Sequence, residues 1–239
     1  MDNASRLQVY QAQTKNVRML DQARKQISRA INHAIRRGDI ISIQVHTKVL
    51  ALVFCAWAEA NFSKVIHTPY GFMLDEIYQI KQTYQKHGLE EGWKKCIELG
   101  LRKISNPKRS NYIPNISQKI TSLVNEFIVE PSLIRNKVAH GQWKVALNRD
   151  NTAINNKITK DLNDLDSVVI SKWFRVHNHL LNIVESLIES PNRSFHKDYW
   201  KEIAELEDFL ENSKPWNLSA KIQLLQKKPI SNNSSSSLI

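Results

Sequence analysis

The chain has 239 residues, of which 41% are hydrophobic, so it is long and apolar enough to fold around a sizeable core. Only 6 Gly and 7 Pro are present, which argues against a β-rich protein full of turns. Lys and Arg outnumber Asp and Glu by 34 to 23, and the net charge of +11 favours a polyanionic partner, although many soluble proteins are simply basic.

The sequence does not carry the signals of a secreted or membrane protein. Residues 1–30 are polar and charged, unlike a secretory signal, and the longest apolar run, 49–58, is too short to span a membrane. Cys55 and Cys96 lie far apart in predicted helices, which indicates buried reduced thiols and not a disulfide or a zinc site. We therefore expect a soluble cytoplasmic protein.

Apolar residues at helical spacing predict four helices in the first part of the chain, over residues 5–37, 41–66, 72–86 and 89–104. The second helix is apolar nearly all round between Val49 and Phe62, so we expect it to be the most buried. Glu59 lies inside that run, and a buried carboxylate needs a cation or a hydrogen-bond donor as a partner. The outer face of the first helix is basic and could bind RNA or simply face solvent.

A basic segment follows the fourth helix. Residues 105–114 are rich in Asn, Ser and Pro, which predicts a loop. Basic residues beside an aromatic ring are typical of single-stranded nucleic-acid binding, although an ordinary exposed loop can have the same composition. The candidate substrate-binding residues in and beside this loop are Arg102, Lys103, Lys108, Arg109 and Tyr112.

The next part of the chain brings an Arg, an Asn and a His close together, at positions 135, 136 and 140. A predicted helix over 116–130 leads to Pro131, which suits the first turn of another helix. Gly141 is expected to end that helix in a left-handed conformation. Arginine clamps phosphate oxygens, and histidine gains and loses a proton near neutral pH. Such a pair is suited to cleaving a phosphodiester bond.

The spacing of these residues sets a condition on the site. Asn136 and His140 are four positions apart and therefore share one face of a helix. Arg135 and His140 differ by roughly 140° on an ideal helix. They can converge on one phosphate only if the helix loosens near His140, which Gly141 permits.

The pattern Arg135-Asn136-x-x-x-His140 resembles the Arg-x(4–6)-His motif of the HEPN superfamily, and by eye the resemblance covers most of residues 1–190. It implies an all-α helical bundle and a metal-independent ribonuclease without cofactors, as found in toxin–antitoxin, CRISPR and antiphage systems. It also implies that Arg135, Asn136 and His140 are catalytic, and that two protomers of a homodimer join their motifs in one composite cleft.

Two further residues are assigned beside the motif. By the same resemblance, Glu59 matches the acidic residue that family members often carry on an early helix, and it would orient Arg135 or His140. An ordinary salt bridge at the edge of the helix is the alternative for Glu59. Lys137, within the motif, joins the substrate-binding candidates.

The C-terminal third contains fewer signals. Residues 144–148 and 152–155 flank a polar turn and predict a short β-hairpin. A helix capped by Asp164 or Asp166 should run to Glu189. It carries His177 and His179, which point to nearly opposite sides of the helix and so do not form a metal pair. One of them could reach the site, although we expect both at the surface. We predict a single domain over 1–212, with its core about 1–190, an extra helix over 195–211 and a disordered polar tail over 213–239.

These observations favour one function over two others. The first is an endoribonuclease that uses the RNA 2′-hydroxyl, leaves a 2′,3′-cyclic phosphate and a 5′-hydroxyl, and acts in defence or as a toxin under the control of an antitoxin or other regulatory protein. The alternatives are a non-catalytic RNA-binding or scaffold module of the same type, and a helical interaction protein with no nucleic-acid role.

Overall fold

The structure is a computed structural model that describes residues 1–105 and 111–227. An all-α fold, predicted from the sequence, is confirmed in this part of the chain. The helices are α1 (Asn3–Arg37), α2 (Ile40–Ile66), α3 (Leu74–His87), α4 (Leu89–Leu101), α5 (Tyr112–Val124), α6 (Glu130–Ala139), α7 (Asn156–Asp164), α8 (Ser167–Glu189), α9 (Phe195–Asn212) and α10 (Leu218–Gln226).

The two long N-terminal helices form an antiparallel pair. Asp2 caps α1 by accepting a hydrogen bond from the Ser5 amide at 2.7 Å, and Gly38 ends α1 with a φ of 67°. Asp39 then caps α2 by accepting from the Ser42 amide at 3.0 Å. Because a glycine stop is followed at once by an acidic cap, the chain can reverse between α1 and α2 without a longer loop.

α2 is the central helix of the bundle, as its apolar composition predicts. It packs against α1, α6 and α8, and its buried aromatic residues Phe54, Trp57 and Phe62 belong to the core. By length and composition alone α2 is also apolar enough to cross a membrane, but the core helix of a soluble protein meets the same criteria. Its position inside the bundle is that of a core helix.

α5 and α6 are two parts of one continuous helical rod, joined by a π-helical turn over Asn125–Val129. Pro131 lies in the first turn of α6, as the sequence predicts, and the π turn leads from α5 directly into that helix. A proline ring clashes with the carbonyl four residues earlier in an α-helix, and the wider π turn directly before Pro131 relieves that clash. From Tyr112 to Ala139 the rod is on the order of 40 Å long.

The predicted β-hairpin after α6 is reduced to one antiparallel bridge between Leu147 and Ile154. The Asn148 side chain closes the loop by accepting from the Thr152 amide at 2.8 Å. Asn155 then caps the next helix by accepting from the Ile158 amide at 3.1 Å, so the chain enters α7 before a second strand can extend. α7 is an addition to the predicted helices.

α8 is buried on more sides than its apolar pattern indicates, because it packs against both α2 and α9. The expectation that His177 and His179 lie at the surface is therefore wrong. The His177 ring is fully buried against Trp57 and Trp93, while His179 Nδ1 lies 2.7 Å from Glu202 of α9.

Part of the predicted disordered tail is folded. α10 packs against α1 and α8, and the Lys221 ammonium donates to the Ser167 hydroxyl at 2.8 Å. Leu218, Ile222 and Leu225, spaced four and three apart, contact the core through one face of the helix. The prediction for residues 213–227 is thus corrected, and its remainder, residues 228–239, lies outside the described residues.

Candidate functional site

The end of α6 has the geometry that the sequence predicts. Gly141 adopts a φ of 78°, the Gly141 amide donates to the Val138 carbonyl at 3.1 Å, and the Gln142 amide donates to the Lys137 carbonyl at 2.9 Å. These two bonds form the Schellman motif that ends many helices. His140 is the last residue before the left-handed glycine, so its side chain extends from the helix end and is exposed.

His140 lines an open cavity of about 820 Å³ at this end of the molecule. Asn136 lies on the same wall, which agrees with the predicted shared face, and Lys137 and Arg149 add positive charge. None of the described residues that line this cavity is an Asp or a Glu. The cavity therefore combines cations, amide groups and one histidine, a set that suits an anion with hydrogen-bonding groups.

The opposite wall of the cavity comes from the loop between α6 and α7. The Lys137 ammonium donates to the Leu147 carbonyl at 2.6 Å, and the Gln142 side chain accepts from the Leu147 amide at 2.8 Å. Lys137 is thus tied to the loop, although an ammonium group has three donors and two stay available. These bonds hold the loop against the end of α6, so that Arg149 reaches the cavity from the far side.

Arg135 does not line this cavity, because it is held in another direction. Its guanidinium forms an ion pair with Glu59 of α2, and both side chains are about one-third exposed, at 31% and 38%. The predicted contact between Glu59 and Arg135 is confirmed. Convergence of Arg135 and His140 within one protomer required the helix to loosen near His140, but the helix is regular up to Ala139.

Cys55 and Tyr84 surround the ion pair. Burial raises the pKa of the Cys55 thiol to about 12, against a smaller opposing effect of Arg135. Burial also raises the pKa of Tyr84, and the Glu59 carboxylate raises it further. Cys55 is therefore a protonated thiol in the core, in agreement with the prediction of a buried reduced cysteine, and it is no candidate nucleophile.

The described residues of the predicted basic segment, Arg102, Lys103 and Tyr112, do not line the cavity. Tyr112 begins α5 and Ala139 ends α6, so the two sites lie at opposite ends of a rod on the order of 40 Å long. The Tyr112 hydroxyl is 2.7 Å from His196 Nδ1 of α9, and its half-buried ring packs against the core. Lys108 and Arg109 lie outside the described residues.

The two remaining cations of that segment serve the fold. Lys103 forms an ion pair with Glu76 at 2.9 Å and donates to the Gly71 carbonyl at 2.9 Å. Arg102 forms an ion pair with Glu98 one turn earlier on α4. Both charges are therefore partly neutralised by neighbouring carboxylates, which a count of basic residues along the sequence does not show.

A different set of polar residues was missed. Arg149 and the amide side chains of Asn151 and Asn155 also line the cavity with His140. The only signal in the sequence was the run of polar residues in the turn, which indicates a loop and does not indicate a ligand-binding site. Only the fold shows that this loop lies against the end of α6.

A second group of chemically active side chains lies away from the cavity. His179, Glu202 and Glu205 offer ligand atoms that all lie within 4.8 Å of one another, on α8 and α9. The hydrogen bond between His179 Nδ1 and Glu202 already uses one ligand atom of each of these two residues. None of these three residues lines the cavity beside His140, so they add nothing to its chemistry.

Comparison of the chain with protein-family models, with curated proteins and with solved structures found no match.

Proposed function

We propose that the protein is a metal-independent endoribonuclease in which His140 transfers a proton during cleavage of RNA. The observation that carries this proposal is the exposed position of His140 and Asn136 on one wall of a cavity that, among the described residues, is lined by cations and by no carboxylate. A phosphodiester is attracted to such a cavity, and histidine is the side chain best suited to proton transfer near neutral pH. The resemblance of the motif to that of HEPN ribonucleases supports the same reading.

The reaction is an attack of the RNA 2′-oxygen on the adjacent phosphorus. Neutral His140 accepts the proton of the 2′-hydroxyl, the bond between phosphorus and the 5′-oxygen breaks, and a protonated histidine supplies the proton to that leaving oxygen. The products are a 2′,3′-cyclic phosphate and a 5′-hydroxyl. Arg149 and Lys137 neutralise the charge that grows on the non-bridging oxygens, and Asn136 hydrogen-bonds the phosphate or His140.

A single His140 cannot be the base and the acid in the same step. We therefore place two protomers around one cleft, so that each supplies one His140. Arg135, which Glu59 positions in each protomer, then acts on the phosphate only if the cleft brings it there from the partner chain. The homodimer, a role in antiphage defence or as a toxin, a regulatory partner and a cytoplasmic location are parts of this proposal.

A second candidate is a non-catalytic RNA-binding module. The observation that favours it is the ion pair of Arg135 with Glu59. Arg135 is the strongest phosphate ligand of the motif, and this ion pair holds it outside the cavity that His140 lines. Such a module binds RNA through its basic surface and leaves it intact. The two candidates differ in one measurable result, the breaking of the RNA chain.

The experiment compares three full-length proteins in the presence of EDTA: wild type, His140→Ala and His87→Ala. His87 is an exposed histidine at the end of α3 and serves as the matched control. We expect wild type and His87→Ala to cleave RNA alike, and His140→Ala to be slower by about 10²–10⁴-fold. Cleavage of equal rate by His140→Ala would overturn the proposal, and RNA binding without cleavage by wild type would favour the second candidate.

A further inference from the structure

The asparagine side chains that line the cavity differ in whether they already form hydrogen bonds within the protein. Some are already used: the Asn148 side chain accepts from the Thr152 amide and donates to the Thr152 hydroxyl at 2.9 Å, and Asn155 Oδ1 caps α7. These bonds fix the shape of the loop. The loop is therefore a fixed wall of the cavity and not a flexible cover.

Two other amide groups of the cavity have no such use. Within the described residues, the side chains of Asn136 and Asn151 make no hydrogen bond, and both are exposed. Asn151 adopts a φ of 56°, a left-handed conformation that asparagine tolerates better than most residues. The backbone therefore holds Asn151 at the turn of the loop with its amide group available to a ligand.

The cavity has three kinds of surface that together match a nucleotide. Leu133 and Ile158 supply apolar area for the face of a base. A carboxamide presents both donors and an acceptor, as does the polar edge of a base, and asparagine pairs with bases in this way. Arg149 supplies a cation for phosphate. The volume of about 820 Å³ lies within the range of about 300–1,000 Å³ of small-molecule sites.

We propose that this cavity binds the base of an RNA nucleotide next to the phosphate on which His140 acts. Asn151 bonds the polar edge of the base, and Arg149 contacts the adjoining phosphate on which His140 acts. The inference rests on the proposed function, and it adds a base preference to the cleavage reaction. A ribonuclease with this site cuts preferentially beside one base, because the wrong base leaves the Asn151 amide group unpaired.

The first part of the test measures binding without cleavage. The full-length protein is titrated calorimetrically with the four nucleoside 3′-monophosphates and with ribose 5-phosphate, which carries no base. We expect at least one nucleotide to bind about tenfold more tightly than ribose 5-phosphate. The Asn151→Gly variant, which keeps the left-handed backbone and removes the amide group, should lose that difference. Equal binding of nucleotides and ribose 5-phosphate to wild type would overturn the inference.

The second part measures the positions of the cuts in RNA. Asn151→Gly and Arg149→Ala are compared with Asn178→Ala and Arg193→Ala, which change exposed residues outside the cavity. We expect Asn151→Gly to spread the cuts over all four bases, and Arg149→Ala to weaken cleavage about tenfold. An unchanged base preference in Asn151→Gly would overturn the inference. This holds even where the variant binds mononucleotides less well, because the cavity would then bind a free nucleotide and not a base of the RNA substrate.

The two parts separate this inference from the proposed function. Nucleotide binding that depends on Asn151, together with intact RNA in the wild-type reaction, would overturn the ribonuclease and keep the base site. Cleavage that depends on His140, with the same base preference in wild type and Asn151→Gly, would overturn the base site and keep the ribonuclease.

Discussion

Arg135 of α6 forms an ion pair with Glu59 of α2 across 76 positions of sequence, and this contact directs Arg135 away from the cavity that His140 lines. The motif is thus divided between two surfaces of one helix. Arg135 connects the helix to the core of the bundle, while Asn136 and His140 face the loop. A mutation of either half should therefore have a different consequence for stability and for activity.

We predict that Glu59→Gln lowers the free energy of unfolding by about 1 kcal/mol or less. The pair is about one-third exposed, and ion pairs of this kind contribute little because solvent screens them. If Glu59 positions Arg135 for the reaction, RNA cleavage should fall at least tenfold while unfolding in urea changes little. A loss of activity that only parallels a loss of folded protein would contradict a positioning role for Glu59.

Gly141 should be required for its backbone conformation and not for space. Its φ is 78°, and a Cβ built there meets no atom within 4 Å. Gly141→Ala should therefore cost about 1 kcal/mol in urea unfolding, the penalty of a left-handed conformation for an L-residue. Gly141→Asn should cost less, since asparagine tolerates that conformation. Equal losses for the two variants would show that strain at this position is not the cause.

His177 should make the protein less stable in acid. Burial lowers the pKa of His177 to about 3, below its ordinary value of 6.5, and neither ring nitrogen has a partner among the described residues. The unfolded chain binds this proton and the folded chain does not, so the stabilising contribution is complete above pH 6.5 and decreases as the pH falls from about 6.5 to 3.

The variant His177→Phe tests this assignment. It keeps a ring in the aromatic surroundings of Trp57 and Trp93 and removes the titrating group. The slope of unfolding free energy against pH should decrease by up to about 1.4 kcal/mol per pH unit in this range. Replacement of the exposed His87 should not produce this change. An unchanged slope in His177→Phe would contradict the assignment.

The helix that replaces part of the expected tail should contribute to stability through one face only. Ile222 of α10 packs against the core, whereas Leu224 is 64% exposed. We predict that Ile222→Ala costs about 1 kcal/mol and that Leu224→Ala stays within about 0.5 kcal/mol of wild type in urea unfolding. Similar effects of both substitutions would indicate that α10 does not pack as described.

Local signals in the sequence were sufficient for much of the fold. Gly38 and Gly141 end helices where the sequence predicts, and the apolar composition of α2 indicates its central position. A carboxylate in an apolar run needs a cation, and the motif resemblance offered Arg135 or His140 as the partner of Glu59; the fold selects Arg135. These features depend on neighbouring residues or on one strong physical requirement.

The features that were missed depend on the tertiary fold. α7 has few apolar residues, and its start is set by the Asn155 cap after a closed loop. The position of Arg149 at the cavity depends on the contact of that loop with the end of α6. Conversely, Tyr112 and Lys103 are residue types that are common in nucleic-acid sites. In the fold, Tyr112 contacts His196 and Lys103 pairs with Glu76, outside the cavity that His140 lines.

The central claim is that His140 cleaves RNA by means of the 2′-hydroxyl. The most direct test expresses wild type and His140→Ala in parallel and sequences the RNA ends, with separate capture of 2′,3′-cyclic phosphate and 5′-hydroxyl ends. We expect both kinds of end to accumulate at the same positions with wild type and to be absent with His140→Ala. Ends of equal abundance in both samples, or 3′-hydroxyl and 5′-phosphate ends with wild type, would contradict it.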